Sequence, residues 1–597
     1  MEALEFNHRI EITSASTEEL DIIKKACKVQ FYRYSSGRRI HDRTENLLYK
    51  EDGNYYFPPG LLDFIASKLE KIGADIFLDD HRSEPMRHLR LKSKTSRPEL
   101  FPNQKNALIE TDKEENNQGY ITSIMGSGKS RIIEEIVIQK SCNTLIVVPT
   151  ESIRDAIYEQ LLEVVPKKLI STKVPKEEDF FSVKEIVNNH DDFVPERVED
   201  KYLLDKGFKK YGGNWYKVDK AKNELSLREK KKEENKENKK NKHNIVVCCY
   251  HSLREASLSF LHNVELFICD EGHTARNNTI RSALLNMPNA HYKYFLSATM
   301  WADLQEDMML LMSAIGTNHV FEELPMDTLK ANRVAKPEYI EKRSPVPSHP
   351  IGKWKRNSKN SESKIIHSKD FDTTVKLGLV GNSTRNDDVC ETAIEEFMEG
   401  NRVLICINEE VHGHILRDIL TEKWKQIQVN KIYGLKSKQL IEKLKELGME
   451  YPQDEPIENL RYNLIQYLEK DFDPGYIFGQ ESKAIKKQLI LETSYGHDAC
   501  ITIGTSAVGI GVDTKNINVV LLVDVRKSST RTIQGIGRGS RIKNFEDQEK
   551  NYNFRVYNWL DWFHPKLMEH SRKRERMFKE YFLGEESITK KKWSKVY

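Results

Sequence analysis

Ser123-Ile124-Met125-Gly126-Ser127-Gly128-Lys129-Ser130, read as SIMGSGKS, decides the fold of this chain. Two apolar residues, Tyr120 and Ile121, precede it, and Ile132, Ile133, Ile136 and Val137 follow on one side of a helix. Strand, glycine-rich turn and helix in that order are the setting of a phosphate-binding loop. Glycine lets the backbone curl until successive N–H groups converge on one anion, and the helix N-terminus adds partial positive charge. In that reading Gly126, Ser127 and Gly128 wrap phosphate, Lys129 reaches the outer phosphates, and the Ser130 hydroxyl ligates Mg²⁺. Ser123 stands where the pattern G-x-x-x-x-G-K-[ST] wants its first glycine. A glycine turn that merely precedes Lys-Ser is the alternative.

Working outward, Leu100-Phe101-Pro102-Asn103-Gln104 offers in Gln104 a two-sided amide able to read an adenine edge. Downstream, Thr144 to Val148 is a buried parallel-type strand running into Pro149-Thr150. Val264 to Cys269 runs straight into Asp270-Glu271-Gly272-His273. There Asp270 can hold Mg²⁺ through water, and Glu271 can orient and deprotonate an attacking water. A further strand, Lys293 to Leu296, ends in Ser297-Ala298-Thr299. Strands alternating with helices imply an α/β fold with a parallel sheet, and all the polar motifs fall at strand C-termini, where such sheets bind ligands. A second alternating region begins near Val375, with strands at Arg402–Ile407, Ala499–Gly504 and Val519–Val523. It carries Gly504 to Asp513 (GTSAVGIGVD) and Gln534 to Arg541 (QGIGRGSR) but no phosphate loop. Its arginines make sense only if they complete a site built elsewhere.

The 597 residues suggest three to four domains. With 94 basic and 91 acidic side chains the net charge is only +3, so any nucleic-acid surface is local. None of the eight cysteines forms a C-x-x-C pair, which fits a reducing compartment without a zinc site or disulfide framework. No apolar stretch approaches a membrane span and the opening MEALEFNHRI lacks a signal-peptide core, so the expectation is a soluble, cytoplasmic protein. Residues 1–97 read as a small α+β accessory module, with a β-like run Val29–Tyr34 and a helix Leu61–Ile72. Its Phe31, Tyr32, Arg33, Tyr34, Arg38 and Arg39 suit either a nucleic-acid backbone or a solvated strand face. The first lobe takes 98–330, interrupted by a charged excursion at 171–243 ending in REKKKEENKENKKNKHN. Residues 331–370, rich in Pro, Lys and Ser, read as a linker, 371–570 as the second lobe, and 571–597 as a basic tail.

Taken in this order, the stretches resemble a superfamily-2 helicase or translocase of the DExH type, with two RecA-like lobes in tandem over roughly residues 98 to 570. SIMGSGKS resembles motif I, Val147–Thr150 motif Ia, DEGH motif II, SAT motif III, TSAVGIGVD motif V and QGIGRGSR motif VI. The resemblance implies ATP with Mg²⁺ as cofactors, and Arg538 and Arg541 as arginine fingers from the second lobe. It implies nucleotide contacts from Gly511 and Asp513, coupling through Ser297, Thr299 and Gln534, and nucleic-acid contacts from Thr150 and Thr505. Val556–Asp561, His570-Ser571-Arg572 and Arg576 to Tyr581 are similar to the ending of UvsW-type branch-migration helicases and XPB-like translocases. Gly272 in motif II and Gly535 in motif VI depart from the family pattern. At 433–475, Leu440, Leu444 and Leu447, then Leu460, Leu464 and Leu468, repeat at helical spacing. That insert is similar to a SAP-type DNA-binding motif, with a two-helix structural insert as the alternative. The function implied is an ATP-dependent motor on duplex, forked or four-way DNA in replication, recombination or repair. RNA ranks second as partner, and a motor subunit of a restriction, defence or transcription complex is the other alternative.

Overall fold

The computed structural model describes residues 1–35, 38–51, 53–85, 89, 91, 98–124, 127–175, 208–211, 214–217, 244–324, 337–347, 352–356, 363–367, 371–452, 454–468, 475–477, 500–504, 517–523, 533, 536–537, 554–584, 591 and 593. The chain opens with β1 (Glu2–Glu5), β2 (Ile10–Ser14), α1 (Thr17–Ala26), β3 (Lys28–Ser35), β4 (Arg38–Asn46), β5 (Tyr49–Glu51), β6 (Asn54–Phe57), α2 (Leu62–Glu70) and β7 (Phe77–Asp80). Five of these strands form a sheet in the order β5-β6-β2-β1-β7, and β3 with β4 makes a separate antiparallel hairpin. Ser16 and Glu19 close a capping box that starts α1.

The first large sheet follows. Its elements are α3 (Pro102–Asp112), β8 (Gln118–Thr122), α4 (Lys129–Lys140), β9 (Thr144–Val148), α5 (Glu151–Leu162) and β10 (Ile170–Ser171). An antiparallel hairpin, β11 (Phe208–Tyr211) with β12 (Asn214–Lys217), lies within the stretch read as a charged excursion. Then come β13 (Ile245–Cys249), α6 (Leu258–His262), β14 (Leu266–Asp270), α7 (Asn278–Leu285), β15 (Tyr292–Ser297), α8 (Gln305–Ile315) and β16 (His319–Glu322). Seven parallel strands run in the order β10-β13-β9-β14-β15-β8-β16. Runs such as TLIVV, IVVCC and LFICD are buried throughout, as strands covered by helices on both faces must be.

The second sheet is also parallel, in the order β17-β24-β23-β20-β22-β21. Its chain runs β17 (Pro337–Arg343), a hairpin of β18 (Gly352–Arg356) and β19 (Ser363–His367), α9 (Phe371–Val375), α10 (Ser383–Met398), β20 (Arg402–Cys406) and α11 (Glu410–Tyr433). It continues through α12 (Ser437–Glu446), α13 (Ile457–Leu468), β21 (Gly475–Ile477), β22 (Cys500–Gly504), β23 (Val519–Leu522), β24 (Phe554–Leu560) and α14 (Pro565–Phe582). The composition-based linker at 331–370 therefore contains β17, an edge strand paired along its whole length with β24. Four of its seven residues are charged, which hides an edge strand from a reading by composition. α12 and α13 enclose their own small core with the end of α11, through Ile432, Leu440, Leu444, Leu460 and Leu464.

The fold is thus α/β, two tandem parallel-sheet lobes with a small α+β module in front and a helical insert in the second lobe. One core lies between the first sheet and α3 to α5. Another is continuous from the N-terminal module, under the first sheet, to α14 and one face of the second sheet. Among the described residues, no helix is long and apolar enough to cross a membrane.

Candidate nucleotide-hydrolysis site

β14, β15 and β8 are neighbours in the first sheet, with Asp270 opposite Leu296 and Ser297 opposite Thr122. Their C-terminal ends therefore meet, and with them the loop after β8, the Asp270-Glu271 pair and Ser297-Ala298-Thr299. Ser123 leaves β8 buried, its N–H donating to the Ser297 carbonyl at 3.1 Å. The Ser123 hydroxyl meets that of Ser127 at 2.5 Å and the Glu323 carboxylate at 3.3 Å. The serine that replaces the first glycine is thus a brace across the loop. Asn103 donates to the same Glu323 carboxylate at 3.1 Å.

Gly128, at φ +85°, is the left-handed cap of α4, a conformation that suits glycine. A Cβ there would collide with the Gln104 amide. Gln104 is buried and its amide is engaged: it accepts from the Phe101 N–H at 3.0 Å and donates to the Ser127 carbonyl at 3.2 Å. In this structure the amide holds the loop, and these two bonds use one of its two N–H groups and one of its two oxygen lone pairs. Lys129 begins α4, and Ser130 beside it is exposed.

Across from the loop, Glu271 has a left-handed backbone at φ +53°, a costly conformation for a residue with a side chain. The following Gly272 lets that turn fit, since a Cβ would lie 2.8 Å from Phe295 Cβ. This accounts for the departure in motif II. The Ser297 hydroxyl lies 3.0 Å from Glu271 Oε2, and His273 Nδ1 lies 3.4 Å from that oxygen and 3.1 Å from the Ser297 hydroxyl. Burial opposes charge on Glu271, but Lys129 and the contacts with His273 and Ser297 prevail and hold its carboxyl below the usual range. Burial pushes the Asp270 carboxyl up, helped by the Glu271 charge and opposed by Lys129. Asp270 Oδ1 is buried without a hydrogen-bond partner. An orphaned, acidic oxygen of this kind is what a divalent cation satisfies. Magnesium takes few protein ligands and fills the rest with water and phosphate, so Asp270 with Ser130 is a fitting set. Among the described residues no group of three or more His, Cys, Asp or Glu could hold a metal.

Thr299 Oγ1 is buried and unpartnered, while its N–H donates to the Ser297 hydroxyl at 3.1 Å. Thr150 caps α5, accepting from the Ile153 N–H at 3.4 Å, so it already has a local structural task. Gly126, Thr505, Gly511, Asp513, Gln534, Arg538 and Arg541 lie outside the described residues. Glu323 and Asn103, which brace the loop, went unread because their spacing from it in sequence carries no pattern.

A parallel sheet whose strand ends unite a glycine-capped helix, a lysine and an acidic pair has the layout of a nucleotide-binding site. Residues 97–209 and 198–301 match the res subunit of type III restriction enzymes, and residues 455–543 match the helicase conserved C-terminal domain. These matches, over 97–301 and 455–543, support a superfamily-2 helicase. Such domains indicate nucleic-acid-dependent ATPase activity, and family members use ATP, generally with Mg²⁺. Among solved structures, the chain is similar to UvsW of bacteriophage T4, at 14% identity and a TM-score of 0.35, covering 97% of each chain. It is similar to a fragment of a putative HsdR subunit of a type I restriction enzyme from Vibrio vulnificus YJ016, at 14% identity and TM-score 0.44, over 81% of this chain and 66% of that one. It is also similar to the DUF1998 helicase MrfA bound to DNA, at 12% identity and TM-score 0.44, over 82% and 50% of the two chains. No curated protein matches the chain.

Proposed function

We propose that this motor is an ATP- and Mg²⁺-dependent DNA helicase or translocase acting on duplex or branched DNA. The observation that carries the ATP half is the meeting of Lys129, Asp270, Glu271 and Ser297 at three adjacent strand ends. In this reading Lys129 and Ser130 bind phosphate and Mg²⁺, Asp270 holds the cation through water, and Glu271 is the base. Arg538 and Arg541 complete the site from the second lobe, Gly511 and Asp513 add nucleotide contacts, and Gln534 couples the lobes. Residues 98–330 and 371–570 are the two motor lobes, and 1–97 and 433–475 are accessory DNA-contacting elements.

Support for a nucleic-acid partner comes from local charge. Lys436, Lys438, Lys443 and Lys445 are exposed on or beside α12. A groove of about 530 Å³ between the N-terminal module and α8 is lined by Lys25, Lys28, Lys68 and Phe64. Phosphate contacts of this kind supply affinity without sequence preference. The res-subunit match supports a second reading, a DNA translocase in a restriction-type assembly that moves without separating strands.

The test is ATP hydrolysis with single-stranded, duplex, forked and four-way DNA and with RNA, alongside strand displacement on the fork. Stimulation greatest with forked or four-way DNA, with displacement, supports the first reading. Stimulation by duplex without displacement selects the second, and stronger stimulation by RNA overturns the DNA assignment.

A further inference from the structure

The last described part of the chain turns back from the second lobe and grips the first. Helix α14 is rooted in the second lobe. Arg574 donates to Asn558 at 2.7 Å and to the Trp559 carbonyl at 3.2 Å, and the Phe578 ring lies 4.6 Å from that of Tyr339 on β17. Its other side faces the turn after β15. The Tyr581 hydroxyl donates to the Ala298 carbonyl at 3.2 Å, and Lys573 pairs with Asp303 at 3.2 Å. Beyond the helix, the Trp593 indole N–H donates to the Met300 carbonyl at 2.8 Å. The same indole stacks on Tyr120 of β8, with ring centres 5.2 Å apart and planes 11° from parallel.

These contacts fall at particular places. Ala298 and Met300 flank Thr299, so both neighbours of that residue have their carbonyls held from the C-terminal segment. One residue earlier, the Ser297 hydroxyl touches the Glu271 carboxylate. Tyr120 lies in the strand that delivers the loop before Lys129. Tyr581 and Trp593 are themselves buried, 6% and 5% exposed, so the grip is dry and its hydrogen bonds do not compete with bulk water.

We propose that Tyr581 and Trp593 are positioning residues: a clasp through which the second lobe sets the turn 297–301 of the first, and with it the Glu271 carboxylate. Because α14 moves with the second sheet, displacement of that lobe pulls on the carbonyls of Ala298 and Met300. The pull reaches Glu271 through Ser297 by direct contacts only. The clasp rests on the hydrolytic reading of the site, and it adds a route between the lobes distinct from any arginine that crosses between them.

The full-length chain is tested as Tyr581→Phe and Trp593→Phe, each of which keeps a ring and removes one donor. Lys579→Ala, exposed on the same helix, is the control. Poly(dT) and poly(rU) serve as stimulating nucleic acids, and amide hydrogen exchange follows the peptide spanning 297–301. Either Phe variant should exchange faster in that peptide and lose about threefold to tenfold in stimulated kcat, the worth of one neutral hydrogen bond, with little change in KM for ATP. Lys579→Ala should behave as the parent. Unchanged exchange, unchanged kcat, or a kcat loss matched by a rise in KM and a lower melting temperature would each overturn the clasp. If the parent hydrolyses no ATP with either polymer, the hydrolytic reading falls. Exchange in 297–301 then still decides whether the grip exists.

Discussion

Glu271 shows how much chemistry one residue of this site concentrates. Its left-handed backbone, its contacts with Ser297 and His273, and the Lys129 charge all act to fix a buried, ionised carboxylate in one place. Glu271→Gln keeps the shape and the hydrogen-bonding oxygen but removes the base. It should bind ATP with near-parental affinity and lose about a hundredfold or more in hydrolysis. Lys129→Ala removes the positive charge that bears on both Asp270 and Glu271, and should abolish hydrolysis while leaving the melting temperature near that of the parent. Steady-state hydrolysis with fluorescent-nucleotide titration checks both, and parental turnover in either would end the site assignment. Loop, acidic pair and Ser-Ala-Thr were legible in the sequence because each is a short local run whose spacing is its chemistry. The loop-holding contacts of Gln104 were not legible from its type. A buried amide takes whatever partners lie nearest, and here they are the Phe101 N–H and the Ser127 carbonyl.

At the scale of elements, apolar periodicity revealed the buried strands and the amphipathic helices, but edges escaped it. β17 carries Glu338, Glu341 and Lys342 among its residues and reads as linker, yet it closes the second sheet. At the charged excursion the sheet supplies a boundary that composition does not. β10 pairs with β13, Ile170 opposite Ile245, so the chain leaves and returns on adjacent strands. Val174 is buried, and the Pro175 carbonyl accepts from the Ser257 N–H at 2.9 Å, so the segment packed on the first lobe reaches at least residue 175. Deleting 176–243 should therefore leave soluble protein with ATPase stimulation intact, whereas deletion from 171 should cost solubility. Expression and hydrolysis of the two truncations check this.

The second lobe also carries a titration that its sequence did not announce. His412 on α11 is buried against Asn386 of α10, 2.9 Å from its side-chain oxygen. Burial, helped by Arg385, lowers its pKa from 6.5 to about 3. The folded lobe thus holds a neutral imidazole where the unfolded chain takes up a proton below pH 6.5. Its stabilising contribution is complete above that pH and is lost as pH falls toward about 3, at up to about 1.4 kcal/mol per pH unit. His412→Gln keeps a hydrogen-bonding amide without the titration. Denaturant unfolding at several pH values should show a shallower acid loss in the variant, and equal slopes would remove His412 as a source of it.

Across the whole molecule, the N-terminal module is built into the first lobe. Apolar residues of the module and of α7 and α8 share one core, which composition alone suggested were separate units. Arg281 pairs with Glu45, Lys293 donates to the Asn7 carbonyl, and Thr317 donates to Asp63. Asn7 in turn donates to the Pro288 carbonyl at 3.0 Å. None of these pairs has a sequence signature, because each joins residues far apart with no period between them. A tight backbone approach is at Gly60, where a Cβ would lie 2.7 Å from the Gly316 nitrogen and 2.9 Å from the Ser313 carbonyl oxygen. Both are backbone atoms at the end of α8, and neither can swing aside as a side chain would. Gly60→Ala should therefore force the module away from α8 and destabilise the protein by about 1–3 kcal/mol, the usual cost of overpacking. Because α8 ends beside Gly60 and begins near Asp303, which pairs with Lys573, loosening here acts on the same helix that the C-terminal segment touches. Calorimetry should show a lower melting temperature, and limited proteolysis should release a fragment near the size of residues 1–85. A variant with parental melting and no such fragment would mean that the module yields at this contact, and that its docking rests on the polar pairs instead.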